Sequence, residues 1–355
     1  MPAAFLQTSA SSLDKASALD GFSQLVMLKI ERRRFPMKQE KEPIYSGIAT
    51  YLRTPYIHLN EAQDYDVAIL GIPVDYGTTV RSGQRFAPRA IREYSFYNYA
   101  EDEMLFDLST DEPLTAARLL IGDLGDIAVW PANPEKTNEA IIQTVCQVRT
   151  TTFPFIFGGD HSITYATFLG CKQALDRQGQ MPLGLLHFDA HLDVDEDFLT
   201  MPRVHHGNVF GQLIREGHLQ GEHVVSIGIR GLDYLRCARF AKNAGIKQYT
   251  AEEVRKHTLE TIMNEAIALL KNTCRAVYVT FDIDCIDPSQ APGTGTPVFG
   301  GLLLQEVLPA LRLLSQLPVV AFDLVELSPS LDTTGITTVA ASEILWQFLA
   351  FGLAI

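Results

Sequence analysis

Three short segments of the sequence place carboxylate and imidazole side chains at alternate positions, a spacing that can build a metal site. They are GGDHS (158–162), DAHLD (189–193) and DID (282–284). Alternate side chains of an extended backbone share one face, so Asp189, His191 and Asp193 can converge. Carboxylates packed in this way repel one another and shift one another's pKa values unless cations neutralise them. The predicted metal ligands are His161, Asp189, His191, Asp193, Asp282 and Asp284.

The predicted ligand set mixes oxygen and nitrogen atoms, which suits Mn²⁺ or Ni²⁺ better than Mg²⁺. Two such ions about 3.5–4 Å apart can share a water molecule and lower its pKa, which produces hydroxide near neutral pH. Two carboxylates must bridge the pair, and Asp189 and Asp282 are placed to do so. A lone His161 would more often be a core residue, and a DxD motif is common. The three motifs together predict two divalent metal ions per chain, Mn or Ni.

Each motif follows a short apolar run that is typical of a buried strand. Seven such runs recur after Asp66, separated by helical stretches: VAILGIP, LLIGDLG, FPFIFGGD, LGLLHFDAHLD, HVVSIGIR, AVYVTFDID and PVVAFDLVELSP. Strands that alternate with helices predict an α/β fold with a doubly wound, mostly parallel sheet. Ligand sites in such sheets lie beyond the carboxyl ends of the strands, where the motifs stand. We predict an N-terminal extension over residues 1–60, which either makes an oligomer contact or covers the pocket, and one catalytic domain over 61–355.

The composition of the chain argues against some kinds of binding partner. The chain is 46% hydrophobic and has a formal net charge of −13, which argues against binding to nucleic acid or to anionic membranes. Its five cysteines form no CxxC pair, so neither a disulfide framework nor a thiolate zinc site is predicted. The N-terminus lacks a signal-peptide pattern, and no apolar stretch reaches the length of a membrane span. We therefore expect a cytoplasmic protein.

The motifs GGDHS, HFDAHLD and TFDIDCIDPSQAPGTGTP closely resemble those of the arginase/agmatinase (ureohydrolase) family, especially its agmatinase-like branch. The resemblance begins near Tyr45–Pro55, continues through Gly71–Glu93 and ends with Asp323–Pro329. It implies a three-layer αβα fold and a homo-oligomer, either a trimer or a hexamer. It also implies two ligand sets. One metal ion would be held by His161, Asp189, Asp193 and Asp282, and the other by Asp189, His191, Asp282 and Asp284.

The resemblance further implies a binuclear-metal hydrolase that cleaves a small guanidino compound to urea and either ammonia or an amine. A histidine before a glycine shuttles protons in such enzymes, and here that residue is His206; a glutamate after the last strand, here Glu326, grips the guanidinium. Asp193 is counted among the catalytic residues as well as the ligands. The chemistry agrees, because a protonated guanidinium is a poor electrophile. A carboxylate can orient it by paired hydrogen bonds, and a general acid must assist the leaving nitrogen.

The sequence departs from the family pattern near the predicted proton shuttle. His205 stands where agmatinases have an acidic residue, and the preceding loop VDEDFLTMPRV is longer and carries Arg203. Arg203 and His205 are therefore candidates to bind the carboxylate of guanidinobutyrate or guanidinopropionate. Alternatively, the longer loop and the N-terminal segment leave room only for guanidine, with Thr50 or Tyr51 touching the substrate. The sequence favours guanidine by a small margin, with agmatine as a further alternative.

Two other classes of protein remain as alternatives. A deacetylase with an arginase-like fold uses one zinc ion and would not require the second ligand set that includes His161 and Asp284. A non-catalytic family member would be expected to lose ligands, whereas all the ligand positions are suitably occupied. A Rossmann-type enzyme is disfavoured because no GxGxxG follows the first strand. His187 shares a strand face with Asp189, and we expect it to support that ligand or the core rather than to bind metal.

Overall fold

Eight parallel strands form the central sheet of the protein, whose computed structural model describes residues 46–98, 106–108, 112–113, 119–196 and 201–353. The strands in this part of the chain are β1 (Val67–Gly71), β2 (Phe106–Asp107), β3 (Glu112–Pro113), β4 (Ile121–Asp126), β5 (Phe153–Phe157), β6 (Leu183–Phe188), β7 (Val224–Ile229), β8 (Lys247–Thr250), β9 (Ala276–Asp282) and β10 (Val319–Val325). The short strands β2 and β3 pair with each other in antiparallel fashion. The others form the sheet in the order β4-β1-β5-β10-β9-β6-β7-β8, and all neighbouring pairs are parallel.

The sheet confirms the predicted fold class, and each of the seven apolar runs contributes a strand to it. The strand β8, at one edge, was not predicted because its sequence KQYT is short and largely polar. Only Tyr249 of this strand is buried. An edge strand with one buried side chain shows none of the apolar alternation on which a sequence-based prediction depends.

Helices cover both faces of the sheet. Those in the described residues are α1 (Ala87–Tyr94), α2 (Pro134–Arg149), α3 (Ile163–Gln178), α4 (Val209–Arg215), α5 (Leu235–Ala244), α6 (Ala251–His257), α7 (Leu259–Thr273), α8 (Leu304–Leu311) and α9 (Ile336–Gln347). Helices α2 to α5 share one apolar cluster with Leu70 and Leu185 of the sheet. Helices α1 and α6 to α9 share the other with the adjacent residues Ile69 and Leu186. Successive strand residues thus face opposite layers, which gives a three-layer αβα arrangement.

The main structural unit extends from Ala49 to Ile355. Residues 49–60 belong to it, because Ile57 donates its N–H to the carbonyl of Asp123 (2.9 Å) and Tyr51 packs edge-on against Phe157. The boundary predicted after residue 60 therefore falls inside this unit. Residues 1–45 lie outside the described residues, so the oligomer-contact or pocket-covering role of the extension stays a prediction. None of the helices in the described part of the chain is long and apolar enough to cross a bilayer.

Candidate metal centre and active site

Four neighbouring strands at the middle of the sheet, β5, β10, β9 and β6, bring the predicted site residues to one edge. Val325 of β10 lies opposite Asp282 of β9 in the register of the sheet. The segments that follow these strands therefore leave the sheet side by side. Across the sheet from β5 to β6, the site residues that they carry are His161, Glu326, Asp282 with Asp284, and Asp189 with His191 and Asp193.

One group of predicted ligands surrounds the fully buried imidazole of His161. His161 Nδ1 lies 3.1 Å from Asp189 Oδ2 and 3.0 Å from Asp193 Oδ2. It also lies 3.2 Å from Asp282 Oδ2. Despite these neighbours, Nδ1 makes no hydrogen bond with any residue that the structure describes. A nitrogen and three carboxylate oxygens that converge without bonding to one another fit the arrangement of ligands around a divalent cation.

A second group shares Asp189 with the first. His191 Nδ1 lies 3.3 Å from Asp189 Oδ1 and 3.1 Å from Asp284 Oδ2. The two oxygens of Asp189 thus face different imidazoles, as a carboxylate that bridges two ions requires. Burial, together with the charges of Asp284 and Asp189, raises the pKa of Asp282 well above its usual value. Cations would relieve this repulsion, so the donor set fits two divalent ions.

Two of the site residues have a left-handed backbone, which is rare for residues with a side chain. The φ angle is 50° at Asp193 and 65° at Glu326. Such a conformation costs about 1–3 kcal/mol and persists only where the surroundings enforce it. The N–H of Glu326 donates to the carbonyl of Gly159 (2.9 Å). Gly159 has no room for a side chain, because an added Cβ would lie 1.8 Å from the carbonyl oxygen of Val74. The turn at Gly159 and the backbone of Glu326 therefore hold each other in place.

Two residues behind the ligands fix the orientation of ligand side chains. His187 Nε2 lies 2.7 Å from Asp189 Oδ2, and its Nδ1 lies 3.1 Å from the Ser226 hydroxyl. The position of His187 would also allow it to be a ligand beside His161. Both ring nitrogens of His187 already have a protein contact, with Asp189 and with Ser226, so we assign it the orienting position. On the far side of His161, Nε2 lies 2.9 Å from the Thr280 hydroxyl. Such partners hold the rings that bind metal in place.

His206 is in direct contact with Glu326. Its Nδ1 lies 3.2 Å from Glu326 Oε1. Its Nε2 lies 2.8 Å from the Thr79 hydroxyl and accepts the N–H of Thr79 (3.1 Å). Burial lowers the pKa of His206, but the hydrogen bond and the charge of Glu326 outweigh burial and raise this pKa to about 9. That pKa favours the protonated ring at neutral pH, although protonation of Nε2 requires it to release the N–H of Thr79 that it accepts here (3.1 Å). In the protonated form His206 can donate a proton to a leaving group.

The carboxylate of Glu326 is already engaged by three donors. Oε1 accepts the N–H of His161 (2.8 Å) in addition to the contact with His206, and Oε2 accepts the side-chain amide of Gln84 (2.8 Å). A carboxylate offers about four acceptor positions, so these contacts leave about one. The paired hydrogen bonds between Glu326 and a guanidinium that the sequence predicts do not fit this arrangement. A single N–H of the substrate, directed at Oε2, does.

The two residues predicted to read a substrate carboxylate point elsewhere. The guanidinium of Arg203 forms an ion pair with Glu216 and lies 3.2 Å from the Tyr165 hydroxyl. His205 is buried, and its ring turns back to accept the N–H of Gly207 (3.3 Å). Burial and the charge of the neighbouring His206 lower the pKa of His205, which makes it a poor partner for an anion. The structure therefore does not support either residue as a ligand for a substrate tail.

Thr50 is also separate from the ligand group. Its hydroxyl donates to the carbonyl of Thr54 (2.6 Å), and the ring of the adjacent Tyr51 belongs to the apolar core. The Thr50 hydroxyl thus makes a local hydrogen bond, whereas its predicted role is a contact with the substrate. Substrate binding by Thr50 remains a prediction without a supporting contact.

Sequence reasoning missed the segment that covers Glu326 and His206. Thr79 contacts His206, and Gln84 contacts Glu326. Both lie in the segment between β1 and α1, within the motif GIPVDYGTTVRSGQRFAP. Asp160 holds the start of this segment by accepting the N–H of Gly77 (2.8 Å). The motif itself was recognised, but nothing in the sequence shows where its side chains point.

The site and the fold agree with comparisons to known proteins. The model of the Arginase family matches residues 65–350. A guanidinobutyrase of Pseudomonas aeruginosa is 34% identical over 321 residues, which cover 88% of this chain and 95% of the relative. A mitochondrial guanidino acid hydrolase of Homo sapiens is 35% identical over 309 residues, 85% of this chain and 82% of the relative. The solved structure of a proclavaminate amidino hydrolase from Streptomyces clavuligerus superposes with a TM-score of 0.75 at 34% identity, covering 88% of this chain and 99% of that one.

The protein is a hydrolase that acts on amidino C–N bonds. This class follows from the strand order of the parallel sheet, from the aspartates and histidines at the carboxyl ends of its central strands, and from the relatives named above. The chain belongs to the arginase family.

Proposed function

We propose that the protein hydrolyses free guanidine to urea and ammonia with two divalent metal ions, Mn or Ni. The observation that carries this proposal is the state of Glu326, which is 1% exposed and has about one acceptor position left. A substrate bound there must present one N–H in a confined space. Guanidine meets this requirement because it is the smallest guanidino compound and carries no substituent on its nitrogens.

The charge of the site supports a cationic substrate without an anionic tail. Four ligand aspartates and Glu326 are all largely buried. Two divalent ions would neutralise four of these charges, and the carboxylate of Glu326, paired with His206, is the group that can accept an N–H of a guanidinium. A carboxylate on the substrate would need a cationic partner, but Arg203 is paired with Glu216. Arg203 is therefore not placed, in this arrangement, to bind the carboxylate of a guanidino acid.

The residues of the chain perform binding and proton transfer in this proposal. His161, Asp189, Asp193 and Asp282 would hold one ion, and Asp189, His191, Asp282 and Asp284 the other. Bound there, the two ions would activate a water molecule as the nucleophile. Glu326 accepts an N–H of the guanidinium and orients its carbon, and His206 donates a proton to the departing nitrogen. Guanidinium and one water molecule thereby give urea and one ammonium ion.

Glu326 is in the ionisation state that this binding role requires. Burial alone would raise the pKa of Glu326, but the hydrogen bond and the charge of His206, with the N–H of His161, outweigh burial and lower it. The carboxylate is therefore ionised when His206 is protonated. Glu326 attracts the substrate cation, and His206 supplies the proton.

Hydrolysis of guanidino acids is the second candidate. Relatives named guanidinobutyrase and guanidino acid hydrolase share 34% and 35% identity with this chain. If the protein hydrolysed the same substrates, the carboxylate of the substrate would have to be bound by side chains other than Arg203 and His205, because neither is placed to bind it in this structure.

A urea-release assay tests the choice between the two candidates. The substrates are guanidine, guanidinobutyrate, guanidinopropionate, agmatine and arginine, each measured after reconstitution with Mn²⁺ or Ni²⁺. We expect kcat/KM for guanidine to exceed the others by about tenfold or more. Arg203→Ala is the matched variant, and it should leave all the rates unchanged. Faster turnover of guanidinobutyrate, with a selective loss of that activity in Arg203→Ala, would reject the proposal in favour of the second candidate.

We also propose that the chain forms a homo-oligomer, a trimer or a hexamer, which the resemblance to the family suggests. Light scattering on the purified full-length protein measures the mass directly. A monomeric mass at micromolar concentration would contradict it.

A further inference from the structure

The side chain of Gln84 is fully buried beside Glu326. Its Nε2 donates to Glu326 Oε2 (2.8 Å) and to the carbonyl of Arg81 (3.1 Å). Its Oε1 lies 3.4 Å from the hydroxyl of Thr78. Two acceptors on one side of the amide and a donor on the other define its orientation. Gln84 is thus held at the oxygen of Glu326 that has an acceptor position to offer a substrate.

The backbone around Gln84 is anchored on a second segment of the site. Arg81 donates to the carbonyls of Gly295 (3.0 Å) and Thr294 (2.8 Å). Two residues after Thr294, the hydroxyl of Thr296 contacts the predicted ligand Asp284 (3.3 Å). Arg81 therefore connects the segment that carries Gln84 to residues 294–296, and Thr296 in turn contacts the ligand group.

The space beside Glu326 Oε2 is narrow on this side. A Cβ added at Gly295 would lie 2.8 Å from Gln84 Nε2 and 3.6 Å from Glu326 Oε2. Gln84, Gly295 and Glu326 consequently meet in one small volume. The Gln84 carboxamide therefore fills the volume next to Glu326 Oε2 on this side.

We propose that Gln84 is a specificity-determining residue that, by filling the volume beside Glu326 Oε2, favours unsubstituted guanidine over guanidines that carry a carbon substituent. This inference rests on the proposed function and deepens it, because it names the side chain that limits the substrate's size. Gln84 acts by occupying volume next to Glu326, with its amide held in place by the two acceptors. It takes no part in bond making or breaking.

Three substitutions separate volume from hydrogen bonding. Gln84→Ala removes both, Gln84→Met keeps the volume without the donor, and Gln84→Asn shortens the side chain by one methylene. For each, kcat and KM are measured for guanidine, N-methylguanidine and guanidinobutyrate. Calorimetry gives the affinity for N-methylguanidine, and metal content and melting temperature report on the fold. Asp176→Ala, which removes a half-exposed carboxylate on α3, serves as the control.

We expect Gln84→Ala to raise the ratio of kcat/KM for N-methylguanidine over guanidine by about tenfold, the scale on which sites discriminate a methylene group. Its affinity for N-methylguanidine should rise in parallel. Gln84→Met should keep the wild-type ratio, and Gln84→Asn should lie between. If Gln84→Ala loses metal or fails to fold, the Gln84→Asn ratio decides the question.

The inference is overturned if a folded, metal-loaded Gln84→Ala or Gln84→Asn protein keeps the wild-type ratio within twofold. It is also overturned if Gln84→Met relaxes the ratio as much as Gln84→Ala does, because volume would then not be the cause. Failure of the proposed function is seen separately, in the wild-type rates alone, whereas failure of this inference is seen in the change between wild type and variant.

Discussion

His206 Nδ1 and Glu326 Oε1 lie 3.2 Å apart at the carboxyl end of β10. Each group sets the ionisation of the other, since Glu326 raises the pKa of His206 to about 9 and His206 keeps the pKa of Glu326 low. The pair therefore carries a proton on the imidazole and a negative charge on the carboxylate at neutral pH. The carboxylate can bind a cationic substrate, and the protonated imidazole can donate a proton to the leaving nitrogen.

Replacing His206 with Ala should slow turnover by about 10²–10⁴-fold, which is the usual contribution of a general acid. None of the predicted ligand contacts involves His206, so two metal ions per chain should remain. Urea release and metal analysis on the same preparation check both statements. A wild-type rate in the variant would remove His206 from the mechanism.

The pH profile should show the titration of His206. The imidazole is protonated below about pH 9 and loses its proton as the pH rises through that value, so the general acid disappears on the alkaline side. We expect kcat/KM to fall above about pH 9 and this alkaline limb to be absent in His206→Ala. A profile that keeps rising to pH 10.5 in the wild type would contradict the assignment.

Asp189→Ala should abolish metal binding and activity together. The two oxygens of Asp189 face His161 (3.1 Å) and His191 (3.3 Å), so its loss opens both ligand groups. Metal analysis after dialysis, followed by the urea assay, measures the effect. Asp176→Ala, which removes a half-exposed carboxylate on α3, is the control and should keep both ions. An active Asp189→Ala protein without bound metal would exclude the metal-dependent mechanism.

His187→Ala should weaken metal binding by about 10–100-fold, the range found when a partner of a ligand is removed. His187 Nε2 holds Asp189 Oδ2 at 2.7 Å, whereas Ser226 contacts only the opposite nitrogen. Ser226→Ala should therefore have a smaller effect. Competition with a chelator gives the affinities. Equal affinities in wild type and His187→Ala would show that Asp189 needs no support from this ring.

Asp332→Asn should lower the free energy of unfolding by about 1–3 kcal/mol at pH 7, as expected for charged hydrogen bonds. Near the start of α9, Asp332 accepts the hydroxyl (2.6 Å) and the N–H (2.9 Å) of Thr334. It also accepts the N–H (2.8 Å) and the hydroxyl (2.7 Å) of Thr337. Burial raises the pKa of Asp332, but these donors outweigh it and lower the pKa to about 2.

The pH dependence of this effect follows from the depressed pKa. The contribution of Asp332 is present above the ordinary carboxyl pKa of 3.8 and is lost as the pH falls through about 2. The difference between wild type and Asp332→Asn, measured by urea unfolding, should therefore shrink below pH 3.8. A difference that stays constant down to pH 2.5 would mean that the charge of Asp332 is not the cause.

The parts of the site that are local in sequence could be predicted, and those set by long-range packing could not. Asp189, His191 and Asp193 lie at alternate positions after an apolar run, so their convergence follows from the period of a strand. The contact between Gln84 and Glu326 joins residues 242 positions apart. It depends on the path of the segment after β1, which no local pattern encodes.

Arg203 is a second residue whose contacts could not be predicted from the sequence. Its charge and its position near His206 suggested a contact with substrate, but an arginine beside a site has several possible partners. Glu216, directly after α4, takes the guanidinium. The helix brings that carboxylate within reach, and only the folded chain shows it.

The strand β10 is the last to be synthesised, yet it stands between β5 and β9. Until Val319–Val325 has left the ribosome, β5 has no neighbour on that side and Glu326 does not exist. A nascent polypeptide therefore carries its metal-binding side chains in two unjoined pieces. His161 can join the other ligands only when β10 has entered the sheet between β5 and β9, so the complete group of metal-binding side chains forms late in folding.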